Sequence, residues 1–280
     1  MRPKAVFTGF DSAWTRGNRG AIAQIVDFGD RLELTELTTA SFEEALLLIN
    51  ANVSGSNLEV IAIDQPLIVP NETGSRPVEG VFRSMLGSLG GAIQPSSRSR
   101  IGMFDDCAPI WSFLRGLDAD EDVFAIPRAK SGRFAFEVYP VAAQIGLRSR
   151  LAMPNRLLKY NPAGRKTFRP DDWLAMCALV AAEADRLGID AVADWCEWAR
   201  TAKPHKCDQD KLDSLICALV AYIWWRDGLA ASAAIGDLVN GYIVTPVAGP
   251  MVDCLRPVAE ARGVPFATGV RSTNETSVLA

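Results

Sequence analysis

The chain has 280 residues, of which 49% are hydrophobic and 22% charged, proportions that are ordinary for a globular protein. Its formal net charge of −4 and its pI of about 5.2 argue against strong nonspecific binding to nucleic acid, which depends on neutralising phosphates. They do not exclude a local basic groove. No signal peptide and no run of 18 or more apolar residues is visible, so we expect a cytoplasmic protein without membrane contact.

The first predicted strand starts as the apolar run Val6–Phe10 and ends on the carboxylate of Asp11. Such a run is too short for an ordinary helix and is typical of a strand buried on both faces. A buried charge is unfavourable unless it is paired or bound to a metal ion, so we expect Asp11 at the rim of a sheet, where a cation or a polar substrate can reach it. The alternative is a strand-end Asp that caps the following turn.

Two more strands and a helix follow. Residues 21–28 and 32–37 are predicted strands joined by a short Gly-Asp-Arg turn, and with the first strand they form an antiparallel meander. Ser41 and Glu44 match a capping box, which predicts the start of a helix. Further helices are predicted over residues 78–89, 108–117, 170–187 and 190–199.

Two later strands also carry acids. The apolar run 58–63 is followed by Asp64, and Pro66 stops that strand because it lacks the N–H that a ladder needs. Carboxylates held close together repel one another unless a metal ion or a proton lies between them, so Asp11 and Asp64 are predicted to serve one site. Glu137 stands in the apolar strand Phe-Glu-Val-Tyr-Pro; the alternative is that it points to the polar face of an alternating strand.

The segment 148–169 is the most basic part of the chain and contains no acid. Its Pro and Gly residues predict a loop, and Tyr160 is interleaved with the positive charges. A basic loop with an aromatic residue is suited to tracking a phosphate backbone, although a solvated surface is the alternative. Its basic residues are Arg148, Arg150, Arg156, Lys159, Arg165, Lys166 and Arg169.

The last long helix carries acids near its start. We predict Asp208 as its N-cap and an end near Asp227. Asp210 and Asp213 are three residues apart and therefore share one helical face. For Asp210, the helix dipole alone accounts for an acid in the first turns. Asp213 borders the apolar series of the helix, so we expect it at the edge of the packed face.

One histidine and six cysteines limit the available chemistry. His205 lies in a loop-like segment, and any Ser–His–Asp or Cys–His scheme would depend on it alone. The cysteines form no Cys-x-x-Cys pair, so neither a zinc nor a redox motif is expected. The chain closes with a short predicted strand at 242–245, a helix at 251–262 and a loose tail from 268 to 280.

The assembled pattern resembles the ribonuclease-H-like superfamily and, within it, a family of unknown function predicted to be nucleases. The resemblance implies an α/β fold with a mixed five-stranded sheet (βββαβαβα), helices on both faces and helical insertions. It implies one domain over residues 1–267, with insertions at about 70–130 and 148–205. The matching pieces are Gly-Phe-Asp11-Ser-Ala-Trp, Ile-Asp64-Gln-Pro-Leu, Phe-Glu137-Val-Tyr-Pro, Asp210-Lys-Leu-Asp213-Ser-Leu and Gly241-Tyr-Ile-Val.

The same resemblance implies acids that bind two divalent cations, Mg²⁺ or Mn²⁺, for phosphodiester hydrolysis of nucleic acid or a nucleotide. Asp11 would bridge the metals, Asp64, Glu137 and Asp213 would complete the cluster, and Asp210 is the alternative ligand from the helix. Residues expected to contact the substrate are Arg76, Arg98, Lys159, Tyr160 and Lys166.

Two other functions remain open at this point. A protein of the same fold can bind a nucleotide or another small molecule without cutting anything. A phosphotransferase that uses ATP is disfavoured, because the chain has no phosphate loop of the Gly-x-x-x-x-Gly-Lys type.

Overall fold

The computed structural model describes residues 3–51, 56–150 and 152–273. Within these ranges the strands are β1 (Ala5–Asp11), β2 (Gly20–Asp27), β3 (Leu32–Ala40), β4 (Leu58–Ile63), β5 (Gly132–Glu137), β6 (Ile189–Asp190), β7 (Ser232–Asp237), β8 (Gly241–Pro246) and β9 (Phe266–Thr268). The helices are α1 (Phe42–Ala51), α2 (Pro77–Ser88), α3 (Pro109–Leu117), α4 (Pro140–Arg148), α5 (Pro170–Leu187), α6 (Val192–Thr201), α7 (Lys206–Asp227) and α8 (Gly249–Ala261).

Six of the strands form one mixed sheet in the order β5-β4-β1-β2-β3-β6. Strands β1, β2 and β3 form the predicted antiparallel meander, and β4 and β5 run parallel to β1. The sixth strand, β6, adds two residues parallel to β3; it falls at the start of a segment that the sequence assigned to a helix. The mixed α/β fold is therefore confirmed, with six strands in this sheet where five were predicted.

Both faces of the sheet are covered by helices, which explains why β1 and β4 are buried along their whole length and mostly apolar. Phe7 and Val60 belong to the core cluster that contains buried residues of α5 and α7. Phe10 and Ile61 belong to the cluster on the other face, which contains buried residues of α1 and α3. The alternation of side chains along each strand thus supplies two separate cores.

The C-terminal region contains more regular structure than the sequence indicated. A second sheet with the order β8-β7-β9 replaces the single predicted strand, and it packs with α2 and α8 in a third core cluster. Thr268 Oγ1 donates a hydrogen bond to the Ser232 carbonyl (2.9 Å), and Thr273 bonds to Asp253. The predicted loose tail therefore does not include residues 268–273, while residues 274–280 lie outside the described part of the chain.

Helix α7 starts earlier than predicted, and helix α4 was not predicted. Helix α7 begins at Lys206, with His205 as the N-cap residue, so the assignment of Asp208 as N-cap is wrong. Asp208 occupies the third helical position instead, and its Oδ2 accepts a hydrogen bond from the His205 N–H (2.8 Å), as in a capping box. Pro140, which follows β5 closely, is the first residue of the unpredicted helix α4, a position that proline favours.

Gly9 allows α7 to cross β1 at close range. A Cβ atom at this position would lie 2.0 Å from the Ser214 carbonyl oxygen and 2.3 Å from the Ala218 nitrogen, far inside van der Waals contact. Both of these atoms belong to the backbone, so no side-chain rotation can relieve the clash. The glycine therefore fixes how closely the helix that carries Asp213 approaches the strand that carries Asp11.

We expect Gly9→Ala to lower the free energy of unfolding by at least about 1–3 kcal/mol, the usual loss on overpacking a core. Urea denaturation would measure the loss. Gly87→Ala is the matched control: Gly87 lies in α2 with open space around it, and alanine there should be neutral or mildly stabilising. Equal stability of Gly9→Ala and wild type would contradict the close packing.

Candidate active site

Two of the predicted acids lie at the same edge of the sheet. Asp11 is the last residue of β1, and Asp64 directly follows β4. These strands are parallel neighbours, and the Asp64 N–H donates a hydrogen bond to the Phe10 carbonyl (2.9 Å). The carboxyl ends of parallel strands are the usual place for a ligand site in an α/β sheet.

Helix α7 brings two more acids to this edge. Asp210 and Asp213 are buried on its first turns, and together with Asp11 and Asp64 they line one cavity of about 490 Å³, the acid cavity. Four of the five predicted metal ligands therefore meet in one place. The other side chains that line the acid cavity include Ser12, Trp14, Asn18, Arg19, Asn161, Lys206 and Gln209.

Burial and mutual repulsion raise the pKa values of three of the acids. Burial, followed by the charge of Asp64, holds the pKa of Asp11 well above its ordinary value. Burial, followed by the charge of Asp213, does the same for Asp64. Burial also raises the pKa of Asp213 to about 7, against the hydrogen bond from Tyr160 that lowers it. The cluster therefore holds protons at a pH at which exposed carboxyls are ionised.

Hydrogen bonds hold Asp213 but leave one oxygen of Asp11 without a partner. Asp213 Oδ1 accepts from the Tyr160 hydroxyl (2.6 Å), and Oδ2 accepts from the Gln209 amide. Asp11 Oδ2 is buried and has no hydrogen-bond partner in the described part of the chain. An unpaired buried carboxylate oxygen is rare because its desolvation is unfavourable.

Lys206 supplies positive charge to the cluster. Its ammonium group is ion-paired with Asp210 and donates a hydrogen bond to Gln209 Oε1 (2.6 Å). The same charge lowers the pKa of Asp11, Asp64 and Asp213, opposing the repulsion among the acids. No role was predicted for Lys206, although its i, i+4 spacing from Asp210 on a helix was a signal for the pair.

Glu137 does not line the acid cavity. Both of its oxygens are bound by the guanidinium of Arg76, at 2.6 and 2.7 Å, and Oε2 also accepts from the Leu67 N–H. Arg76 bonds Glu79 as well (2.9 Å), and these three charged side chains are almost completely buried. The predicted ligand Glu137 and the predicted substrate residue Arg76 are thus each other's partners.

Of the other predicted substrate residues, Tyr160 alone touches the acid cluster. Lys159 donates to the Gly90 carbonyl, Lys166 is exposed, and Arg98 pairs with Asp106. Two other cations of the basic segment are paired with acids of the protein itself: Arg156 binds Asp172 through two hydrogen bonds, and Arg150 pairs with Glu183. Arg165, Lys166 and Arg169 are exposed as well, and no ion pair is seen for them within the described part of the chain.

The residue types at the acid cavity fit a divalent cation, because carboxylates are hard oxygen ligands and Asp11 Oδ2 is unpaired. As the side chains stand, no three His, Cys, Asp or Glu residues of the described ranges are arranged to hold a metal ion. Coordination would therefore require side-chain rearrangement.

The raised pKa of Asp213 gives stability a definite pH dependence. The folded state binds the proton more tightly than the unfolded chain, whose ordinary value is 3.8, so stability is lost as pH rises from about 4 through about 7. We expect the free energy of unfolding in EDTA to fall over this range, and to fall less steeply in Asp213→Asn. Urea titrations at several pH values would measure both slopes; identical slopes for the two proteins would contradict the assignment.

Fold and site together define an α/β protein with buried carboxylates clustered at one edge of a mixed sheet. A family model described as "Protein of unknown function (DUF429)" matches residues 9–234, and the chain belongs to this family. The matched segment contains all the acids of the cavity. No curated protein and no solved structure matches the chain. In the described residues, no helix has both the length and the apolar character to cross a membrane.

Proposed function

We propose that this protein is a metal-dependent phosphodiesterase, a nuclease with a ribonuclease-H-like fold. The strand order β5-β4-β1-β2-β3, with an antiparallel meander followed by two parallel strands, supports the fold assignment. The position of the acids supports the chemistry, since two stand at the ends of adjacent strands and two come from a helix that crosses β1.

One observation carries the proposal: four carboxylates meet in one cavity although burial and repulsion raise the pKa of three of them. Such an arrangement destabilises the fold. Titratable groups that share a cleft and have strongly shifted pKa values are typical of functional sites. A divalent cation would reverse this balance, because the close negative charges that destabilise the metal-free protein are the ligands it requires.

Asp11, Asp64 and Asp213 would hold the cations, with Asp210 as an additional ligand. The metal would lower the pKa of a bound water and stabilise the leaving oxygen. Tyr160 and Gln209 orient Asp213 through their hydrogen bonds. Glu137 acts indirectly in this scheme: its charge raises the pKa of Asp64, while its own oxygens stay with Arg76.

The exposed cations of the basic segment would bind the substrate's phosphates. Asn161, in that segment, lines the acid cavity, so the segment runs from the site to the surface that bears Arg165, Lys166 and Arg169. Because this contact joins cationic side chains to phosphates, we expect salt to weaken it.

The test is cleavage of single- and double-stranded DNA and RNA oligonucleotides with Mg²⁺, Mn²⁺ or EDTA. We expect cleavage with a divalent cation and none in EDTA, with activity lost in Asp64→Asn. Asp30→Asn, the same change on the exposed turn between β2 and β3, is the control. Absence of cleavage of every substrate with either cation would reject the nuclease proposal.

A non-catalytic protein that binds a nucleotide or another small molecule is the second candidate. It is favoured by the ion pair of Lys206 with Asp210 and by the absence, among the described side chains, of three acids arranged around a metal. The cleavage assay separates the two candidates, because this one requires binding without turnover.

A further inference from the structure

A second cavity adjoins the acid cavity. It has a volume of about 180 Å³ and shares Trp14 and Asp64 with the acid cavity, so the two are neighbours across these side chains. We call it the Arg76 cavity, after the buried guanidinium that lines it. Complete ligand sites measure roughly 300–1,000 Å³, so this space suits one ring system and not a whole nucleotide.

The single guanidinium of the Arg76 cavity is already paired, and the carboxyl groups that line the cavity outnumber it. Arg76 binds Glu137 and Glu79 and also the Ile68 carbonyl, which leaves it no role as a free anion receptor. Asp64 adds a third carboxyl against this single guanidinium. A phosphate group would meet a surplus of acids here, whereas an uncharged polar group would not.

Two aromatic residues line this cavity. Trp14 has a left-handed backbone (φ 62°), a strained conformation for a large side chain. Its indole N–H donates to the Asp64 carbonyl (3.1 Å), and its ring packs edge-on against Phe104. The Tyr139 hydroxyl is anchored on the Ala92 carbonyl (3.2 Å). Held in this way, aromatic faces are suited to stack on a flat ring, and such stacking tolerates many ring types.

Ser96 provides an unused polar group among the lining residues of the Arg76 cavity. The residue is 1% exposed, and its Oγ has no hydrogen-bond partner in the described part of the chain. Its N–H is fixed on the Glu79 carboxylate at 3.0 Å, so the residue is held in place. A buried hydroxyl without a partner is unfavourable, and a ligand with a donor or acceptor on its ring edge would satisfy it.

We infer that the Arg76 cavity is a binding site for an uncharged planar heteroaromatic ring, a nucleobase, placed next to the acid cavity. The identification of the ring as part of a nucleic-acid substrate rests on the proposed function, whereas the binding of the ring does not. A base seated there would bring its own sugar and phosphate past Trp14 and Asp64, towards the acids. The cavity would then select unpaired nucleotides, because a base within a duplex is not free to enter it.

The test uses nucleosides, which carry the ring and no phosphate, titrated in EDTA into the wild-type protein and followed by calorimetry. We expect saturable binding, weakened at least about five-fold by Tyr139→Leu and by Ser96→Ala, in line with the usual contributions of stacking and of a buried hydrogen bond. Trp198→Leu and Ser88→Ala make comparable changes at α6 and at the end of α2 and should leave binding unchanged.

Nucleoside binding without cleavage of any nucleic acid would uphold this site and reject the nuclease proposal. Cleavage with no nucleoside binding up to the solubility limit would do the reverse. Ribose 5-phosphate is the second probe; if its affinity exceeds that of the nucleosides and falls in Tyr139→Leu, the cavity is a phosphate site and the inference is overturned. Equal weakening by the control variants would also overturn it.

Discussion

Asp11→Asn should abolish divalent-cation binding and, in EDTA, raise the melting temperature. Loss of a group that only orients a ligand usually weakens metal affinity about 10- to 100-fold, so loss of this carboxylate should cost at least about 100-fold. The melting temperature should rise by at least about 2 °C, because the amide replaces a buried carboxyl that must either carry a charge repelled by its neighbours or hold a proton at a pH at which the unfolded chain is ionised. Calorimetric titration of Mg²⁺ and Mn²⁺ and thermal melts in EDTA would measure the two effects.

The opposite signs of these effects separate a ligand from a structural residue. A structural Asp11 that caps its turn would lose stability on substitution and leave metal affinity unchanged. Asp30→Asn, on the exposed turn between β2 and β3, should change neither quantity. Wild-type protein that binds no divalent cation at millimolar concentration, in the absence and in the presence of oligonucleotide, would contradict the metal site itself.

Arg76→Met should destabilise the protein by about 3–5 kcal/mol, the usual loss when one partner of a buried ion pair is removed. Methionine fills much of the space but leaves the carboxylates of Glu137 and Glu79 buried without a counter-charge. Chemical denaturation would measure the loss. Arg31→Met, which breaks an exposed pair with Glu33, should cost at most about 1 kcal/mol.

A double variant shows whether the loss comes from the unpaired charge. Adding Glu137→Gln to Arg76→Met removes one of the two uncompensated carboxylates, so the double variant should be more stable than the sum of the single losses indicates. Strict additivity would mean that Arg76 stabilises the fold by packing alone. Because the pair also lines the cavity next to Asp64, nucleoside affinity should fall in Arg76→Met even where the fold is retained.

The two neighbouring cavities of the candidate site differ in chemistry. The acid cavity carries the charge, and the Arg76 cavity carries aromatic faces and an unused hydroxyl. Trp14 and Asp64 stand between them. With the proposed divalent cations bound by the acids, a substrate with a phosphate at one end and an aromatic ring at the other would complement both cavities, and a nucleotide unit has this division of chemistry.

The amino-acid sequence by itself determined the local elements and the acids that they carry. Apolar runs that end on Asp11 and Asp64 predicted buried strands with functional ends, and both lie at one sheet edge in the structure. The spacing of Asp210 and Asp213 predicted one helical face, and both line the acid cavity. These inferences succeed because the side-chain periods of strands and helices are only a few residues long, so a short stretch of sequence is enough to show them.

The tertiary structure decided which side chains meet. Glu137 was predicted as a ligand on the same grounds as Asp64, yet it is bound by Arg76, 61 residues away in sequence. Lys206 and the strained Trp14 acquire their importance from acids on other elements. A two-residue strand such as β6 is too short to leave a period in the sequence. Pairing of charges depends on distances that chain folding sets, and no local pattern of residues encodes those distances.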